Sequence, residues 1–138
     1  MIIEKDQHRE AGLHLAYQRI GGRAPTPEEL ASTRATVYSY SDDLGLAAVA
    51  VATPGRHPDQ VELAIAMEDR MAGKGGFFYR AVLQYLGQTS LYNFALSFAE
   101  TTSPVSDYLR RLKPLLETPQ GTTARCFMFR IPRPPQGG

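Results

Sequence analysis

Between Thr36 and Met67 three strand-like stretches follow one another with only turns between them. Thr36-Val37-Tyr38-Ser39-Tyr40 alternates and is rich in β-formers, Asp42-Asp43-Leu44-Gly45 carries turn chemistry, and Leu46–Ala52 returns. Pro54-Gly55-Arg56-His57-Pro58 turns the chain again into Gln60–Met67, which sets Val61, Leu63 and Ile65 on one face. The third stretch then enters a loop, Gly73-Lys74-Gly75-Gly76, that opens a helix-like segment from Phe77 to Leu86, ended by Gly87. A further strand is expected over Leu91–Phe98. A strand–helix–strand crossover requires parallel pairing, whereas short turns require antiparallel pairing. The chain is thus constrained to a mixed sheet.

The flanks complete the order. Ile2 and Ile3 predict a short opening strand, and Gln7–Ile20 a loose helix stopped by Gly21-Gly22. Thr26-Pro27-Glu28-Glu29 combines a cap residue, a proline at the first helical position and acids in the first turn. Ser103-Pro104 repeats that logic for a helix reaching Leu112 or Leu116. Ala124–Ile131 is a strand with Cys126, Met128 and Arg130 on one face and Phe127, Phe129 and Ile131 on the other. The expected class is α/β (α+β): a mixed central sheet with helices on both faces in the order β-α-α-β-β-β-α-β-α-β. One domain spans 1–131, and 132–138 reads as a flexible Pro/Gly-rich tail.

Composition narrows the function. A net charge of +1 argues against a nucleic-acid binder or an anionic membrane surface. The single cysteine, Cys126, excludes an internal disulfide framework and a Cys-rich zinc site, and the three histidines lack metal-ligand spacing, so no metal is expected. The longest apolar run, Leu44–Ala52, is far short of the roughly 20 residues of a membrane span. The N-terminus is charged too early for a signal peptide, so a cytoplasmic address is expected.

The glycine loop carries the chemistry. Glycines between a strand and a helix let backbone N–H groups converge on an anion at the helix N-terminus. Arg70 and Lys74 add positive charge nearby. The alternative reading is an ordinary strand-to-helix turn that needs glycine for positive φ. Arg70-x-x-Gly73-x-Gly75 resembles the Arg/Gln-x-x-Gly-x-Gly/Ala signature of the GCN5-related N-acetyltransferase (GNAT) superfamily, and the order of elements is similar to that family's. Tyr108 with the following Leu-Arg-Arg-Leu resembles the family's helix tyrosine, although Lys113-Pro114 replaces its Gly-Phe.

The resemblance implies an acetyl-CoA-dependent N-acetyltransferase, with an amine acceptor attacking the thioester directly. It implies a strand Val61–Met67 that splays from its neighbour to hold pantetheine. It also implies a pyrophosphate loop, with Met67, Arg70, Met71, Ala72, Gly73, Lys74, Gly75 and Gly76 as cofactor-binding residues. Glu62 is implied as general base and Tyr108 as the acid for the departing thiolate. Read without the family, Glu62 is a solvent-facing strand residue and Tyr108 packs its ring on the sheet. The expected partner is a small-molecule or peptide amine, with no nucleic acid and no membrane. A strand edge near Leu91–Phe98 suggests a homodimer. The competing reading is a non-catalytic protein-binding or regulatory module on a similar fold, motivated by the missing Gly-Phe and the aromatics crowded between Phe77 and Phe98.

Overall fold

The computed structural model describes residues 1–134. Its elements are β1 (Glu4–Lys5), α1 (Arg9–Ala16), a π-turn (Tyr17–Gly21), α2 (Pro27–Ser32), β2 (Thr36–Asp42), β3 (Gly45–Pro54), β4 (Gln60–Met67), a 3₁₀ turn (Asp69–Met71), α3 (Gly75–Thr89), β5 (Phe94–Glu100), α4 (Pro104–Arg111), β6 (Leu116–Gln120) and β7 (Ala124–Arg130). They form one seven-stranded sheet in the order β1-β2-β3-β4-β5-β7-β6. Every neighbour pair is antiparallel except β4–β5, which the α3 crossover makes parallel.

Helices cover both faces. On one face α3 and α4 pack Phe78, Tyr79, Val82, Leu86 and Leu109 against Val61, Leu63, Ala95, Phe127 and Phe129 of the sheet. On the other, α1 sets Leu13, Leu15 and Ala16 on Val37, Val49 and Ala66. Burial follows the alternation read from the sequence: Val61 and Leu63 point inward on β4, and Phe127 and Phe129 on β7. Gly12 permits the close approach of α1, because a Cβ there would meet Val37 Cγ1 at 2.7 Å. The start of α2 forms a reciprocal capping box: Thr26 Oγ1 accepts from Glu29 N–H, and the Thr26 N–H donates to Glu29.

Several expectations shift. The opening strand is Glu4–Lys5 rather than Ile2-Ile3, because Asp6 fixes the register: its N–H donates to Val37 O and its carboxylate accepts from Val37 N–H. Helix α3 runs through Gly87 to Thr89; Gly87 marks close packing, since a Cβ there would lie 1.8 Å from Pro132 O. Helix α4 stops at Arg111, and the chain then forms β6, an outer strand absent from the sequence reading. Strand β5 lies between β4 and β7, so it is not an outer edge of the sheet; β1 and β6 are the outer edges. The start of the expected tail is docked: Arg133 donates to the carbonyls of Gly87, Ser90 and Tyr92. The rest of that tail, 135–138, lies outside the described residues. No helix among the described residues is long and apolar enough to cross a membrane, and they hold no cluster of metal-binding side chains.

Candidate functional site

The parallel seam between β4 and β5 is short. Only Gln60–Phe94, Val61–Ala95 and Glu62–Leu96 pair, after which the strands part. A buried relay holds the apex of the opening. The Ser97 hydroxyl donates to Leu63 O at 2.7 Å and in turn accepts from the Tyr79 hydroxyl at 2.7 Å. Burial raises the Tyr79 pKa, so the phenol stays a donor. Beyond this apex a cleft of about 860 Å³ opens between Leu63–Met67 on one side and Phe98–Glu100 on the other. It also reaches Met71 and Ala72, just before the glycine loop, and Ser103–Val105 at the start of α4. Parted strands leave main-chain N–H and C=O groups facing the gap, which an extended ligand with amide groups can pair.

The loop after the cleft ends in an open helix start. Gly73 has φ +80°, a conformation that favours glycine, and Lys74 precedes α3. No side chain caps α3 and its first turn holds no acid, so the first N–H groups of the helix are available to an anion. Gly75 is buried in a tight place: a Cβ there would lie 2.7 Å from the Tyr108 ring and 3.0 Å from Met67 Cε. Met67 thus ends β4, Met71–Lys74 lie in the connection, and Gly75 and Gly76 open α3. Met71 is buried within the core, and Ala72, Gly73 and Lys74 are exposed.

Two residues, Arg70 and Tyr108, sit differently from expectation. Arg70 turns away from the helix start and clamps the β2–β3 hairpin. Its Nε and Nη2 bond both Asp42 carboxylate oxygens at 2.8 and 3.0 Å, and Nη2 also reaches Leu46 O at 2.9 Å. The pairing holds the Asp42 carboxyl below the usual range. Tyr108 is not among the residues lining the cleft; its ring lies against Gly75 and its hydroxyl is buried without a partner. Burial raises its pKa, so the phenol keeps its proton. Glu62 sits half-buried at the last rung of the seam, where the strands part, and borders both the cleft and a second pocket beside it.

Sequence reasoning missed Arg19. It projects from the π-turn into the cleft mouth and pairs with Glu68 at 3.1 Å and Asp69 at 2.6 Å. It offsets two acids that would otherwise oppose an anion at the loop. The nearest sequence signal was Gly21-Gly22, where the left-handed Gly22 ends the π-turn, a feature often found at functional sites.

No protein-family model and no curated protein sequence matches the chain. Solved structures do. An acetyltransferase of the GNAT family from Streptococcus pneumoniae superposes with TM-score 0.68 at 12% identity, covering 95% of this chain and 99% of that one. A proposed acetyltransferase from Salmonella typhimurium, solved with its cofactor acetyl-CoA, gives 0.69 at 11% identity, covering 95% and 94%. A spermidine N-acetyltransferase from Vibrio cholerae gives 0.68 at 7% identity, covering 94% and 95%. The fold is that of the GCN5-related N-acetyltransferases.

Proposed function

We propose that the chain is an acetyl-CoA-dependent N-acetyltransferase acting on a primary amine. The observation that carries this reading is a juxtaposition: the β4–β5 seam parts after three pairs into a cleft lined by Met67, Met71 and Ala72, and the chain then passes through Gly73 into the uncapped start of α3. One end of that cleft suits a diphosphate, and its walls suit the amide-bearing arm of the cofactor. The structural neighbours that act on spermidine or hold acetyl-CoA support the same reading.

Met67 and the 71–76 turn would hold the cofactor, with backbone N–H groups of Gly75 and Gly76 toward its diphosphate and Lys74 adding charge. Acetyl-CoA supplies a thioester whose carbon forms the new C–N bond as the C–S bond breaks and CoA leaves as thiolate. Glu62, at the apex, takes the proton that the ammonium sheds to become the attacking amine, and the second N–H proton leaves to solvent as the amide forms. Water supplies the proton for the thiolate. Tyr108 acts by position, filling the space over Gly75. Arg70 stiffens the hairpin beside the loop, and Arg19 balances Glu68 and Asp69.

The test is calorimetric titration of acetyl-CoA, with Gly75→Glu as control. Saturable binding that the substitution abolishes is expected. Heat that is absent, or unchanged in the variant, overturns the cofactor assignment.

A further inference from the structure

The second pocket that Glu62 borders lies on the opposite side of the seam from α3. Strand register assembles its floor. Glu62 pairs with Leu96, Leu96 with Met128, and Met128 with Leu116, so one cross-strand row runs from the carboxylate over three apolar side chains. The next row adds Phe98. Helix α1 packs on β2, β3 and β4, leaving this part of the sheet without a helix among the described residues. Phe98 is 46% exposed and Leu116 50%. From β5 to β6 the apolar floor is about 10 Å wide, two strand spacings. The pocket holds about 340 Å³, room for one small molecule rather than a chain.

Charge defines the occupant further. Glu62 is the one carboxylate lining the pocket, while Arg56 and His57 line its rim. Among the described residues Arg56 forms no ion pair. Its loop is closed: Gly55 N–H donates to Gln60 O at 2.9 Å, Gln60 N–H to His57 O at 3.0 Å, and Asn93 N–H to Asp59 O at 2.8 Å. Arg56 therefore stands on a braced turn. A polyamine needs several anionic partners, and here a second ammonium would meet an arginine.

We infer that the acceptor is an apolar α-amino acid. Its ammonium faces Glu62, its carboxylate faces Arg56, and its side chain lies on Leu96, Met128 and Leu116. This rests on the acetyl-transfer reading for the use of the pocket, but the pocket itself is tested without acetyl-CoA. L-Phenylalanine, 2-phenylethylamine and spermidine are titrated calorimetrically into the protein, and each is then offered with acetyl-CoA while thiol release is followed.

L-Phenylalanine binds, and its kcat/KM exceeds those of the other two at least tenfold. Arg56→Ala raises the L-phenylalanine Kd and KM about tenfold and removes its advantage over 2-phenylethylamine, with the melting temperature unchanged. Leu116→Glu weakens L-phenylalanine and 2-phenylethylamine alike. Preference for spermidine, indifference of L-phenylalanine to Arg56→Ala, or no L-phenylalanine binding by a protein that binds acetyl-CoA overturns the inference. Failure to bind acetyl-CoA overturns the acetyl-transfer reading instead, and the amino-acid pocket is then decided by the L-phenylalanine titration alone.

Discussion

Gly75 and Tyr108 form one unit of steric support for the loop. The ring occupies the space that any Cβ at position 75 would need, at 2.7 Å. Gly75→Ala therefore forces a partly buried aromatic to move, an overpacking cost of about 1–3 kcal/mol. Its expected signs are a lower melting temperature and weaker acetyl-CoA binding. The Tyr108 hydroxyl gives a cleaner test of role. It is buried without a partner, and such a group costs about 1–3 kcal/mol. Tyr108→Phe is expected to match or exceed the parent in thermal stability and to leave kcat within a few-fold. A loss of a hundredfold or more would restore the acid role to this tyrosine. The phase of a side chain around α4 could not be read from sequence, because tertiary packing decides which face turns toward the cleft.

At the scale of elements, turn chemistry was the most legible part. The Thr26 cap, the Asp42–Gly45 turn and the Ser103-Pro104 start all act through neighbours within four residues, so local sequence carries them. Strand β6 was hidden because Leu116-Glu117-Thr118-Pro119-Gln120 barely alternates and contains a proline, tolerated here at an outer edge. Gly87 was misread for a related reason: its partner, Pro132, is 45 positions away in sequence. Gly87→Ala is expected to cost about 1–3 kcal/mol by pushing the 131–134 segment off α3, measured by chemical denaturation. In the same way Ser97→Ala strands both Leu63 O and the Tyr79 hydroxyl and should cost about 1–3 kcal/mol, more than Tyr79→Phe.

Acid should loosen these elements in a defined window. Arg23 and Thr26 hold Glu29 down to about 2, and arginines likewise depress Asp42 and Glu117. A depressed carboxylate contributes its stability above its unfolded value and loses it as pH falls through the folded one. Melting temperature is therefore expected to hold near neutrality and decline from about pH 4.5 toward 2. A melting temperature flat across that range would contradict these pairings.

Over the whole molecule, charge is local rather than global. With a net charge of +1 there is no broad field to attract an anionic ligand, so the loop must do so itself. Arg19 matters for that reason: without it Glu68 and Asp69 face the cleft mouth uncompensated. Arg19→Ala is expected to weaken acetyl-CoA binding several-fold at low ionic strength and less at 0.5 M salt, followed by calorimetry. An effect independent of salt would mean that Arg19 acts by shape.

The three-rung seam has a consequence for the protein's behaviour in storage. Most sheets expose unpaired strand backbone only at their outer margins, but here two more edges lie in the middle, where β4 and β5 separate. An empty cleft is thus a template onto which a stray strand of another molecule can add, the first step of fibrillar or amorphous aggregation. A cofactor that fills the gap removes that template. Its protective effect should show as a delayed onset of light scattering on heating, beyond the delay that its effect on melting temperature accounts for.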